Sequence, residues 1–363
     1  CKKYNFKPMI WSDMFFRLNH PDQEYYTDQP IPDRYLSIIP RDVKLVYWDY
    51  YHNEKKLYKN MIQLHKQTKN EVCFAGGAWR WKGYAPAIER SIDFSIEALE
   101  ACVEEGLDDV FCTAWGDNGN ECSFFTTLPV LALYSIAQYQ GNTDLNSLDS
   151  LLRAVSNEPL DRMLLMDLPD KLTHRRKTPM HIAYNPSKYF LYQDVMLGYF
   201  DDQFKPAFKR DYKKHAEALY KAASESEKYA YVYKLLADLC DFLAVKCDLG
   251  VALRKAYKAN DKKALKIVLG RIKRALKKLK TFEESLKTQW FTECRPFGYE
   301  ILDGRLGWLR NRIESAKQRV QDYLDGKINK LEELEKEILP FQGHDYEMCW
   351  NWWLRTVSPS NVN

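Results

Sequence analysis

Four short segments of the sequence place an indole two positions from a carboxylate or a second aromatic ring: Trp11-Ser12-Asp13, Trp48-Asp49-Tyr50, Trp79-Arg80-Trp81 and Trp115-Gly116-Asp117. Each closes an apolar run of strand character. Side chains alternate across a strand with a period of two, so the first and third residues of each triplet share a side. An indole offers a flat apolar plate, and a carboxylate accepts hydrogen bonds. Together they suit a ligand with an apolar C–H face ringed by hydroxyls, which is the description of a sugar. A single Trp at a strand end is more often core filler. Four in succession fit that account poorly, because every buried indole N–H needs a partner. Asp49 falls on the opposite side from Trp48 and Tyr50 and reads as structural. Asp117-Asn118-Gly119 taken alone is an ordinary turn signal.

The elements that must hold these groups alternate between strand and helix. Strand patterns cover residues 6–14, 43–51, 72–79 and 109–115, and helical patterns cover 55–69, 88–105 and 128–140. Gly106 is placed as a helix terminator. Residues 19–40 carry Pro21, Pro30, Pro32 and Pro40 and read as a long loop. The order predicts βα units in a parallel sheet, where ligands bind at the C-terminal strand ends. Four such units are half of an eight-stranded barrel, or a small doubly wound sheet. No strand is followed by G-x-G-x-x-G or G-x-x-x-x-G-K-[ST], which argues against nucleotide binding. From residue 142 the pattern turns helical, over 145–155, 160–166, 189–199, 207–224, 228–259, 262–291, 306–324 and 328–339. The expected organisation is therefore an α/β domain over 1–141 and an all-α domain over 142–363. Trp350, Trp352 and Trp353 are expected to dock on a core and pin the tail.

Length and composition set the bounds. The 363 residues are 45% hydrophobic and 14% aromatic, which excludes a disordered or collagen-like chain. Lys and Arg number 54 against 50 Asp and Glu, a net charge of +4, so charge alone supports no nucleic-acid partner. No apolar run reaches transmembrane length, and no membrane association is expected. The nine cysteines contain no C-x-x-C and sit largely in apolar runs, which suits a reducing compartment and predicts a cytoplasmic location. None of the seven histidines makes a zinc spacing, so neither metal nor cofactor is expected. His52 suits the rim of a pocket or an exposed loop equally. Residues 271–280 hold six basic side chains, with Ile272, Ala275, Leu276 and Leu279 at helical spacing, the pattern of an amphipathic helix with a solvated basic face. Cys240 and Cys247 read as a buried stripe. Tyr and Leu on the helices also suit a homodimer contact. The chain begins at Cys1 without an initiator Met or signal peptide, and strand character starts at Phe6. A piece of a longer protein is the expectation.

Four ordered segments resemble glycoside hydrolase family 20, the β-N-acetylhexosaminidases. Lys7-Pro8-Met9-Ile10-Trp11-Ser12-Asp13-Met14 is similar to the fifth-strand segment of that family. Tyr47-Trp48-Asp49-Tyr50-Tyr51-His52, Ala75-Gly76-Gly77-Ala78-Trp79 and Thr113-Ala114-Trp115-Gly116-Asp117-Asn118-Gly119 resemble strands six to eight. The likeness is greatest to exo-β-N-acetylglucosaminidases with a helical C-terminal domain. It covers residues 1–141 by motif and the remainder by architecture.

The resemblance implies the C-terminal half of a TIM (β/α)8 barrel followed by an α-helical domain. It implies hydrolysis of terminal β-linked N-acetylglucosamine, or N-acetylgalactosamine, with the substrate's own acetamido group as nucleophile. By position, Trp11 and Trp48 become pocket walls, Trp115 the floor, and Trp79 a weaker contact. Tyr50 holds the acetamido carbonyl, with Tyr51 its rival. Asp117 stands where the family has a Glu that contacts hydroxyls, and Asp13 joins the substrate-binding set. The family's Asp-Glu pair on strand four has no counterpart, since no Asp-Glu dipeptide occurs in the sequence. In family order it precedes residue 1, so the missing N-terminal half of the barrel is an expected partner and this chain alone is expected to be inactive. The rival readings are a non-catalytic carbohydrate-binding protein and a helical scaffold with a vestigial α/β domain.

Overall fold

Strands form where apolar and aromatic residues alternate, and they stop sooner than the pattern predicts. The computed structural model describes residues 1–18, 20–173 and 185–338. Its strands are β1 (Met9–Trp11), β2 (Lys44–Trp48), β3 (Val72–Gly77) and β4 (Val110–Thr113). They make one parallel sheet in the order β1-β2-β3-β4. Trp11 lies opposite Val46, Trp48 opposite Ala75, and Gly77 opposite Thr113. The second polar or aromatic residue of each triplet therefore sits beyond the ladder. Asp13 opens a short helix, α1 (Asp13–Arg17), while α2 (Asp33–Leu36) interrupts the proline-rich loop.

The crossover helices α3 (Lys55–Lys66) and α4 (Ile88–Glu104), with α5 (Leu128–Gln140) after β4, cover one face of the sheet. The apolar stripes of α3 and α4 meet Leu45, Tyr47 and Phe74 in a core that includes Met61, Ile62, Ala98 and Cys102. Gly106, at φ +62°, follows α4 in the left-handed conformation that glycine adopts without cost. Gly76 serves a different purpose. A Cβ there would lie 1.8 Å from the Tyr134 hydroxyl, so only glycine lets α5 pack this close. The opposite face is concave. Lys44 and Asp109 form an ion pair of 2.5 Å at its N-terminal end. Higher up, the rings of Trp11 on β1 and Phe111 on β4 come within 6.2 Å. The first and last strands thus meet through side chains across a strongly curled sheet. Among the described residues, the outer edges of β1 and β4 pair with no further strand.

Beyond Gly141 the chain is helical: α6 (Leu145–Ser156), α7 (Leu160–Leu164), α8 (Pro186–Tyr192), α9 (Pro206–Glu225), α10 (Ala230–Lys246), α11 (Leu249–Lys258), α12 (Lys262–Glu293), α13 (Tyr299–Leu324) and α14 (Glu332–Glu335). A single apolar core runs from Ile88 and Leu133 through Leu236 and Phe242 to Phe282 and Leu309. It crosses residue 141 without a break, so α4 and α5 belong to both halves of the molecule.

Several predicted helices change length for local reasons. Residues 228–259 split at Cys247-Asp248, where Asp248 receives Arg271 and Lys209. Gly250 follows, and a Cβ there would stand 2.9 Å from the Val195 carbonyl. No glycine or proline lies at the break itself, so periodicity runs through it. The helix predicted over 189–199 ends at Tyr192, because the Asp194 carboxylate accepts the backbone N–H groups of Met196 and Leu197 and turns the chain aside. The helix predicted over 328–339 reduces, among its described residues, to the single turn of α14.

The basic run lies on α12 with Ile272, Ala275 and Leu279 buried. Three of its cations are paired, Arg271 with Asp248, Lys278 with Asp241 and Lys280 with Glu284. Cys240 and Cys247 are buried, and burial pushes the Cys247 thiol up to about 12. All eight described cysteines are free thiols. No described helix is long and apolar enough to cross a membrane. Trp350, Trp352, Trp353, Cys349, His174, His181 and His344 lie outside the described residues.

Candidate functional site

The strand tips converge on one cleft of about 530 Å3, within the range of small-molecule sites. Trp11, Trp48 and Trp115 stand around it with Tyr50 and Tyr51, and Asp13 and Asp117 supply carboxylates. Trp11 and Trp115 each keep over a third of their surface exposed. Their centroids are 6.1 Å apart. Trp48 stacks on Tyr50 at 5.3 Å, and Tyr50 meets Trp115 edge-on at 6.4 Å.

Hydrogen bonds fix these rings. The Trp48 indole N–H donates to Asp13 Oδ1 at 3.2 Å, and Arg17 donates to Oδ2 at 3.2 Å. Asp13 reaches the cleft because α1 starts there, not because a strand continues. Behind it, a chain of buried polar groups joins the tips of β1 and β2. The Trp48 backbone N–H donates to the Tyr25 hydroxyl at 3.3 Å, Tyr25 lies 3.0 Å from Ser12 Oγ, and Ser12 Oγ lies 2.7 Å from His65 Nε2. His65 Nδ1 donates to the Met61 carbonyl at 2.6 Å, which leaves Nε2 as the acceptor. Burial lowers the His65 pKa to about 4, in keeping with a neutral ring.

Asp49 is buried, as its parity predicts. It accepts the Tyr51 backbone N–H at 2.9 Å, the Tyr47 hydroxyl at 3.2 Å and His52 Nδ1 at 2.9 Å. This closes the loop after β2 and turns Tyr50 and Tyr51 toward the cleft. His52 is held against Asp49 and Tyr26, not among the lining residues. Burial drives the Tyr50 pKa up to about 12, moderated by hydrogen bonds with the Thr113 and Trp115 side chains, so Tyr50 remains a proton donor at neutral pH. Burial also raises the Tyr51 pKa, with the Asp49 and Asp117 charges adding to it.

A sequence model of the family described as Glycoside Hydrolase 20C C-terminal domain matches residues 161–350. The chain belongs to glycoside hydrolase family 20. No curated protein matches the sequence. Membership places this family 20 chain among the glycoside hydrolases, and the matched C-terminal domain takes in the helices from α7 onward.

Of the predicted site residues, Trp79 is the one the cleft does not include. It is 2% exposed and lies beneath, its indole N–H donating to the Tyr50 carbonyl at 2.7 Å. Trp81 takes its place on the wall, stacked on Trp79 at 4.5 Å. The cause is that β3 ends at Gly77, so strand parity no longer applies at Trp79. Gly77 itself makes room: a Cβ would stand 2.9 Å from the Tyr50 ring and 3.0 Å from Trp81. Met14 also lines the cleft, a position that the aromatic pattern did not signal. Among the described residues no group of three or more His, Cys, Asp or Glu could hold a metal ion.

Proposed function

We propose that this chain supplies the sugar-binding half of a TIM-barrel β-N-acetylhexosaminidase site that releases terminal β-linked N-acetylglucosamine, or N-acetylgalactosamine, from glycans. The observation that carries the reading is the convergence of Trp11, Trp48 and Trp115 with Asp13 and Asp117 on one cleft at the C-terminal ends of parallel strands. The curled sheet supports the half-barrel reading of residues 1–141, since β1 and β4 already approach across the concave face.

In this scheme indole faces stack on the pyranose while Asp117 accepts hydrogen bonds from its hydroxyls. The Tyr50 hydroxyl donates to the acetamido carbonyl, whose oxygen attacks the anomeric carbon as the glycosidic bond breaks. The leaving oxygen takes a proton from a Glu, and a neighbouring Asp orients the acetamido N–H. Water then opens the oxazoline and configuration is retained. That Glu and Asp are required from residues outside this sequence. The lack of an Asp-Glu dipeptide also suits a second reading, a carbohydrate-binding protein without catalysis.

Calorimetric titration with N-acetylglucosamine, N-acetylgalactosamine and glucose tests the proposal. An N-acetylated sugar is expected to bind with clear preference over glucose, and equal or absent binding refutes it. The 363-residue chain on its own is expected to release no nitrophenol from an aryl β-N-acetylglucosaminide. Turnover by that chain would show the acid to lie within it.

A further inference from the structure

We propose that Arg80 and Glu121 are positioning residues for the Trp115 wall, and that Lys188 and Arg305 thereby make the helical domain a working part of the sugar site. The proposal rests on the reading of the cleft given above and adds to it a second, remote set of determinants.

The loop that carries Trp115 and Asp117 is gripped at both ends. Arg80 points away from the cleft and is 1% exposed. Its guanidinium donates to the Trp115 carbonyl at 3.2 Å, to Asn120 Oδ1 at 2.8 Å and to the Cys122 carbonyl. The Phe124 ring covers it at 3.9 Å. One planar cation with several fixed donors thus sets the course of the loop from its first residue to its last. A loop of this composition would otherwise be pliable, since it contains Gly116, Gly119 and a left-handed Asn120.

Glu121 supplies the second grip. Its carboxylate is 2% exposed and bridges two cations of the helical domain. Oε2 receives Lys188 of α8 at 2.6 Å, and Oε1 receives Arg305 of α13 at 2.9 Å. Burying these charges is costly, and removal of one leaves its partner uncompensated. The bridge ties the loop to α8 and α13. Gly119 is shaped for it: at φ +111°, a Cβ there would stand 2.7 Å from Arg305 Nη1. The loop backbone and the helical cation are therefore fitted to each other.

The test is fluorine NMR of the protein labelled with 5-fluorotryptophan, the Trp115 resonance being assigned by Trp115→Phe, alongside calorimetric titration with N-acetylglucosamine. Glu121→Gln and Arg305→Met are expected to shift or broaden the Trp115 resonance and to weaken sugar binding roughly tenfold. Arg305→Lys should restore most of both. Arg254→Met, which breaks contacts of α11 with the carbonyls of Leu334 and Met196, should leave the resonance in place. Should Arg305→Met fail to fold, Asn120→Gly removes one Arg80 acceptor while keeping the left-handed backbone. A Trp115 resonance unmoved by Glu121→Gln and by Asn120→Gly overturns the proposal, as does an equal shift in Arg254→Met. If Trp115→Ala leaves sugar binding unchanged while the Glu121→Gln resonance moves, the sugar reading falls and the control of Trp115 by Glu121 stands.

Discussion

Asp13 and Trp48, on neighbouring strand tips, are joined by a hydrogen bond of 3.2 Å from the indole N–H to Oδ1. An indole held at its nitrogen keeps its ring face at a fixed angle to the cleft. The carboxylate, with Arg17 on its other oxygen, therefore orients an aromatic plate and acts on the ligand through it. Asp13→Ala is expected to weaken sugar binding roughly tenfold while changing thermal stability little, because the Asp13–Arg17 pair is partly exposed and such pairs contribute little. Asp13→Asn keeps an oxygen for the indole and should retain most of the affinity. Calorimetric titration of both variants checks this, and equal affinities would remove the orienting role.

Tyr50 and Tyr51 both reach the cleft, and they differ in burial and in partners. In the intact active enzyme Tyr50→Phe is expected to lower kcat by about two orders of magnitude, since it removes a donor that acts as charge develops on the acetamido group. Tyr51→Phe should change KM more than kcat. Steady-state kinetics on the two variants decide between them, and the reverse pattern would transfer the role to Tyr51.

Gly77 is expected to tolerate no side chain. A Cβ within 3.0 Å of both Tyr50 and Trp81 must push one ring into the cleft. Gly77→Ala should cost about 1–3 kcal/mol of stability, the range for overpacking, and should also reduce sugar affinity. A melting temperature and affinity equal to wild type would contradict the close packing.

His65 gives the fold a pH dependence of known sign. Its folded pKa of about 4 lies below the ordinary value of 6.5, so between those limits the unfolded chain binds the extra proton. The His65 contribution is complete above pH 6.5 and is lost as the pH falls toward 4, by about 3 kcal/mol in total. His65→Gln should be less stable than wild type at pH 7, with the gap narrowing on acidification. Denaturant melts of both proteins at pH 7, 6 and 5 test this. A constant gap would mean that the ring is not held neutral.

How far the site could be read beforehand depended on how each residue reaches it. Trp11 and Trp48 are the last residues of their strands, so strand parity predicts their facing correctly. Asp49 was legible for the same reason. Trp79 and Trp81 lie past the end of β3, where facing is set by loop packing and by the N–H of Trp79 seeking the Tyr50 carbonyl. The helix break at Cys247-Asp248 was illegible because ion pairing, not glycine or proline, causes it.

The amino-acid order by itself determined the alternation of strand and helix, the switch to helices after Gly141 and the indoles at the strand tips, because these follow from local periodicity and neighbour chemistry. Tertiary structure alone decided that the indoles share a cleft, that Trp81 replaces Trp79 on its wall, and that Glu121 is held by cations 67 and 184 residues away. Those outcomes depend on sheet curvature and on which buried charges find partners, and both arise only when distant segments pack together.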